Sequence, residues 1–263
     1  MTRTLPSTRV VLVAVDASPQ SLAALETAAK VASRLHAELR GMYVEDIDLL
    51  RMAELPFACA IASSGQTHPL TPESMERQLR RHADIARSAV EAAGAHSNIA
   101  ASFTVVRGTV YREIERAAAA AEFVTVGRSG WSARRLGSVA RSLVEAGTAS
   151  LLMVGEGGVR EPLAVVYDGS PAAERALALA SALDGSGSRP ITVIAMGEQA
   201  AEHLQRSEVP VRFDILSGDL EFLLERLQRS GARTVLIPVS VFAKAAGRSV
   251  ILETRNMSVF LIR

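Results

Sequence analysis

The residues best suited to chemistry form one stretch: Gly127-Arg128-Ser129-Gly130-Trp131-Ser132-Ala133-Arg134-Arg135-Leu136-Gly137-Ser138, then Val139-Ala140-Arg141. Glycines let backbone N–H groups approach an anion with no Cβ in the way. Gly137-Ser138 opens a helical pattern, and the unpaired N–H groups and dipole of a helix N-terminus favour phosphate. Ser129, Ser132 and Ser138 add hydroxyl donors, and Arg128, Arg134 and Arg135 add positive charge. Taken alone, the stretch reads equally well as a solvated Gly/Ser turn with surface arginines. Two further candidates end apolar runs: Asp16 after Val10–Val15, and Val44-Glu45 after the next strand pattern. Ligands of open parallel sheets bind beyond the carboxyl ends of the strands. Asp16, Val44 and Gly127 therefore point to one ligand site.

Other chemistry has little support. The histidines are His36, His68, His82, His96 and His203, and none is expected at a strand end near Asp16 or Gly127. No spacing suggests a metal site. Cys59 has no cysteine partner and is expected to be a buried small apolar residue. The phosphate-loop pattern Gly-x4-Gly-Lys-Ser/Thr is absent.

The elements that position these residues follow a repeated grammar. Val10-Val11-Leu12-Val13-Ala14-Val15 reads as a strand buried on both faces. It runs into Asp16-Ala17-Ser18-Pro19, where Ser18 suits an N-cap and Pro19 the first helical turn. Leu22, Leu25, Ala29, Ala32 and Leu35 then recur at helical spacing. The same order returns as Leu163-Ala164-Val165-Val166-Tyr167, then Asp168-Gly169-Ser170-Pro171, then an Ala/Leu-rich helix, at a constant offset of 152. This is an internal duplication. Further strands are expected near 38–44, 99–105, 122–126 and 150–154, with helices near 72–93, 109–120 and 138–146. The second copy is expected to have strands near 190–195, 209–215, 233–238 and 257–262, and helices near 218–230 and 247–254. Alternating strands and helices argue for an α/β fold with a parallel sheet covered on both faces. The joint falls at Gly155-Glu156-Gly157-Gly158, giving domains 1–155 and 156–263. The last strands, near Leu151 and Val259, are offset by only 108, so the second copy is 44 residues shorter. Nearly all of that difference lies between its second and third strands.

Composition bounds the partners. The 263 residues are 48% hydrophobic and 22% charged, with 29 basic and 28 acidic side chains and a net charge of +1. Such a balance gives no bulk attraction for nucleic acid or an anionic membrane. No apolar run reaches the roughly 18 residues needed to cross a bilayer. The N-terminus carries no signal-peptide pattern, and a single cysteine gives no reason for secretion, so a cytoplasmic location is expected.

In Val15-Asp16-Ala17-Ser18-Pro19, its echo Tyr167-Asp168-Gly169-Ser170-Pro171, and Gly127-Arg128-Ser129-Gly130 followed by Leu136-Gly137-Ser138-Val139, the chain resembles the universal stress protein family in its tandem form. The resemblance covers roughly 9–155 and 162–263. It implies two domains, each an open five-stranded parallel sheet with helices on both faces. It implies ATP bound by the loop after the fourth strand of the first domain. Asp16 would then sit near ribose or adenine, Val44 would meet adenine through its backbone, and Gly127, Gly130, Gly137, Ser138 and Val139 would line the phosphates. The family pattern is Gly-x2-Gly-x9-Gly-Ser/Thr. Measured from Gly127 to Gly137 the long spacing fits, but Val124 replaces the first glycine. Measured from Gly127-x2-Gly130, only six residues precede Gly137. Either way the loop is three residues short, which leaves open how many phosphates it grips. The Ser-Gly-Gly and His-x-Gly-His motifs of related adenine-binding enzymes are absent. The second copy, at Pro238-Val239-Ser240-Val241-Phe242-Ala243-Lys244-Ala245-Ala246-Gly247-Arg248-Ser249, lacks a phosphate cradle. It is expected to bind no nucleotide, with Asp168 capping the following turn.

The resemblance thus implies a non-catalytic adenine-nucleotide-binding stress protein acting on unknown protein partners. A nucleotide-free interaction module and a weak ATPase are the alternatives. The copies are expected to pair face to face through their last strands as a pseudo-dimer, and further dimerisation of the chain stays open. The segment 45–57 reads as a short helix packed on the first domain, or as a lid or partner-binding element. The segment 65–72 reads as a mobile loop, and Arg77, Arg80, Arg81 and His82 as a solvated helix face.

Overall fold

The computed structural model describes residues 9–61, 65–127, 137–184, 190–205, 211–216, 222–245, 251 and 254–263. The first half runs β1 (Val10–Ala14), α1 (Pro19–Arg34), β2 (Glu38–Asp46), α2 (Ile47–Ala53), β3 (Cys59–Ile61), β4 (Thr67–Pro69), α3 (Pro72–Ser97), β5 (Ala101–Gly108), α4 (Val110–Ala118), β6 (Phe123–Gly127), α5 (Ser138–Ala146) and β7 (Leu151–Val154). The second runs β8 (Leu163–Tyr167), α6 (Pro171–Leu183), β9 (Ile191–Met196), α7 (Glu198–Gln205), β10 (Val211–Leu216), α8 (Leu223–Arg229), β11 (Thr234–Pro238), α9 (Val239–Lys244) and β12 (Ser258–Ile262).

Local chemistry starts the repeated units in the same way. The Ser18 hydroxyl accepts the N–H of Ser21, and the Ser170 hydroxyl accepts that of Ala173. Each satisfies a helix donor that has no intrahelical partner. A proline opens both α1 and α6. Five strands of each half then pair in parallel, in the orders β7-β6-β1-β2-β5 and β10-β9-β8-β11-β12. Helices α1, α3, α6 and α7 bury apolar residues against one face, and α4, α5, α8 and α9 against the other.

The halves join edge to edge, not face to face. Strands β7 and β12 pair antiparallel, with Val259 opposite Met153, Phe260 opposite Leu152 and Leu261 opposite Leu151. One sheet of ten strands results. Strands capped by helices on both faces have only their edges free, and antiparallel pairing of these two edges closes both. Phe123 and Phe260 meet edge to face across this seam, with centroids 5.4 Å apart and ring planes at 86°. Ser258, fully buried, accepts the Gly155 N–H at 3.0 Å and donates to the Gly158 carbonyl at 2.8 Å.

Other elements differ from the sequence reading. The expected mobile loop, 65–72, contains β4, which pairs with β3 as a hairpin in which Cys59 faces Pro69 and Ile61 faces Thr67. It is closed by the Leu70 N–H on the Ala58 carbonyl at 2.8 Å. Cys59 stands on this hairpin and is exposed, not buried. Helix α3 continues to Ser97, and Gly94 within it lets β5 approach: a Cβ there would lie 2.4 Å from the Ala101 Cβ. In the second half α9 follows β11 directly, its Val241 and Phe242 buried under the sheet. The helix expected over 247–254 falls mostly outside the described residues. A single short helix, α7, replaces α2, the hairpin and α3 between the second and third strands, which accounts for the shorter second half.

Candidate functional site

Beyond the carboxyl ends of β1, β2 and β6 lies a cavity of about 630 Å3. Asp16, Val44, Gly127, Gly137, Ser138 and Val139 all line it. Gly130 lies outside the described residues, as do Arg128, Ser129, Ser132, Arg134 and Arg135.

Each lining residue is held by a local device. One Asp16 carboxylate oxygen accepts the Ser18 N–H at 2.9 Å, and the Asp16 N–H donates to the Ser21 hydroxyl at 3.2 Å. Ala17 between them is left-handed, with φ 60. The turn thus presents an exposed carboxylate at the rim. In β2 the backbone groups of alternate residues face alternate neighbours. The Glu38 N–H bonds to β1's side at the Arg9 carbonyl, and the Leu39 N–H bonds to β5's side at the Ala100 carbonyl. The Val44 N–H and C=O therefore face β1's side. They lie one step past the bond from the Val15 N–H to the Met42 carbonyl, where β1 has already turned away. Strand β2 itself continues to Asp46, so Val44 is not its last residue. Gly127 passes close to α1: a Cβ there would lie 3.2 Å from the Gln20 carbonyl carbon and oxygen. Gly137 is the extended N-cap of α5 and brings no side chain to cap it.

The cavity also gathers residues that sequence reasoning missed. Tyr43, Met75, Gln78, Leu79 and His82 line it, as does Cys59 from the hairpin. His82 thus reaches the site from α3, whereas no histidine was expected there. The spacing of Met75, Leu79 and His82 was the available signal: they form one stripe of a helix. That stripe reads as ordinary core until β2 and the hairpin are placed beside it. The Tyr43 hydroxyl is pushed up to about 12, first by burial and then by the negative charges of Glu45, Asp16 and Asp46. This rim is acidic. Asp46 accepts the Asp48 N–H as the cap of α2, and Glu45 pairs with Arg107 at 2.9 Å. Carboxylates at one end suit hydroxyl donors, and the α5 N-terminus at the other suits an anion.

At the corresponding strand end of the second half, the described side chains use one another as partners. Asp168 accepts the Ser170 N–H at 3.0 Å and the Ser240 hydroxyl at 3.4 Å. Tyr167, one repeat offset from Val15, is fully buried and donates its hydroxyl to Glu174. Burial and then that carboxylate raise its pKa. His203 of α7 stacks on the Tyr167 ring, with centroids 6.2 Å apart, and its Nε2 lies 3.2 Å from the Glu174 carboxylate. Among the described residues, no group of histidine, cysteine and carboxylate side chains could hold a metal ion, and no helix is long and apolar enough to cross a membrane.

The family model described as "Universal stress protein family" matches residues 7–155. No curated protein matches the chain. The fold is similar to that of a universal stress protein from Archaeoglobus fulgidus, at 18% identity and a TM-score of 0.66, covering 98% of each chain. It is also similar to a putative universal stress protein from Pseudomonas aeruginosa, at 13% identity and a TM-score of 0.54, covering 97% of this chain and 93% of that one.

Proposed function

This chain belongs to the universal stress protein family, and on that premise we propose that its first half is a non-catalytic site for an adenine nucleotide, ATP in the first instance. Occupancy of the site would regulate contacts with protein partners during stress. One observation carries the reading: residues from separate segments, Asp16, Val44, Gly127 and Gly137–Val139, line a single cavity at the strand ends. In this reading the Asp16 carboxylate accepts ribose hydroxyls, the Val44 backbone pairs with the adenine edge, and Gly127, Gly137, Ser138 and Val139 face the phosphates, with Gly130 beside them. The units are taken as 1–155 and 156–263, in the cytoplasm. The second unit binds no nucleotide, because Ser240 already donates to Asp168 and α9 follows β11 without a glycine loop. It serves as the partner that closes the edge at β7, and the seam stands in for a dimer contact.

A titration of the full chain with ATP, ADP and AMP, read by thermal shift and calorimetry, tests this. The expected result is one nucleotide per chain. Asp16→Ala weakens it, and so does Gly127→Ala, whose new Cβ presses on Gln20. No response at millimolar ligand overturns the nucleotide reading. It would favour a nucleotide-free interaction module, for which Phe57 and Ile61, at 78% and 76% exposure, supply an apolar surface.

A further inference from the structure

The cavity has more wall than the nucleotide rim uses, and its two walls lie on opposite sides of the sheet. Met42, Ile114, Val126 and Ala140 line it from the core beneath α4 and α5. Tyr43, Met75 and Leu79 line it from the core beneath α1 and α3. Asp16 and the Val44 backbone stand on the strand tips between these sides. The wall on the α3 side is completed by Leu49 and Met52 of α2 and by Leu70, which closes the hairpin. Leu49 and Met52 face this space while still 37% and 45% exposed, so the protein leaves apolar surface there that its own chain does not cover. Gln78 and His82 add polar groups from α3. The elements that build it, α2, the hairpin and α3, are those that the shorter second half lacks.

Apolar area and a phosphate-competent helix terminus in one continuous cavity call for a ligand with both characters. Resting on the nucleotide reading above, we infer that the site takes an adenine nucleotide bearing an acyl chain on its phosphate, an acyl-nucleotide mixed anhydride. The nucleotide occupies the rim between Asp16 and Ser138. The chain lies beneath α2 and the hairpin, against Leu49, Met52, Leu70, Met75 and Leu79.

The test uses the full chain and calorimetric titration with AMP, with a series of acyl-sulfamoyl adenosines of increasing acyl length, and with free alkanoates of the same lengths. The sulfamate stands in for the acyl phosphate and resists hydrolysis. The expected result is a gain of roughly fourfold in affinity for each methylene buried, until the wall is covered. Met52→Asp flattens that gain. A flat series with AMP still bound overturns the acyl inference and leaves the nucleotide reading in place. A flat series with AMP unbound overturns both. A steep series for the free alkanoates, with no gain from the adenosine group, overturns the conjugate and identifies a simple fatty-acid site.

Discussion

The seam between the halves makes the sharpest physical prediction, because one ring pair spans it. Phe123 belongs to β6 in the first half and Phe260 to β12 in the second, and both are essentially buried. Their edge-to-face geometry, 5.4 Å between centroids at 86°, falls in the range where an aromatic pair contributes about 0.5–1.5 kcal/mol beyond its buried area. Replacing either ring by leucine keeps most of the apolar volume and removes the ring–ring interaction. Each single variant, Phe123→Leu and Phe260→Leu, is expected to cost about 1–2 kcal/mol, from the pair and the changed shape together. The double variant is expected to cost less than their sum by about 0.5–1.5 kcal/mol, since the pair can be lost only once. Urea unfolding followed by far-ultraviolet circular dichroism gives all four stabilities, and unchanged slopes license the comparison. Additivity within about 0.3 kcal/mol would refute the ring contact across the seam, because residues that do not share a contact add.

Two further predictions concern the first half. Tyr43 has a folded-state pKa raised from 10.0 to about 12. Its neutral form is therefore favoured by folding. That contribution is fully present below pH 10 and is lost as pH climbs towards 12, on the order of 2–3 kcal/mol in all. Tyr43→Phe is expected to show a shallower fall in urea midpoint over that window, and parallel wild-type and variant curves would refute it. Ala17 is left-handed at φ 60, where its counterpart one repeat away is Gly169 at φ 76. Ala17→Gly is expected to stabilise the fold by about 0.5–1 kcal/mol, the relief of Cβ strain exceeding the entropy glycine adds to the unfolded chain. A lower thermal midpoint would count against a strained turn.

The strand–turn–helix starts were legible because their causes are local. A β-branched run and a Ser-Pro cap act within a few residues, and Ser18 and Ser170 close the same bond in both halves. The last strands were legible as an interface, but their edge-to-edge, antiparallel meeting depends on both halves at once, and no residue in either strand encodes it alone. The hairpin was missed because its strands are three residues each and exposed, so they carry no buried alternation for a sequence to display. Helix α9 was missed for the opposite reason. Val241 and Phe242 read as the debris of a lost phosphate loop, whereas they bury a new turn of helix under β11.

The site shows the same division between local and assembled information. Asp16, Gly127 and Gly137–Val139 announce themselves because glycines and a strand-end carboxylate are uncommon where apolar periodicity is otherwise unbroken. Tyr43, Gln78 and His82 do not, since each sits in an ordinary strand or helix pattern and gains a role only when β2 and α3 come together. The halves differ in what the equivalent aspartate and its neighbours meet among the described residues. In the second half a buried tyrosine, a carboxylate and a stacked histidine use one another as partners, and Ser240 donates to Asp168. In the first half Val15 is small, α3 stands where α7 would otherwise close in, and the Asp16 carboxylate is left at an open rim. The first half keeps its strand tips around an open cavity, and each half supplies one edge strand, β7 or β12, to the seam that joins them.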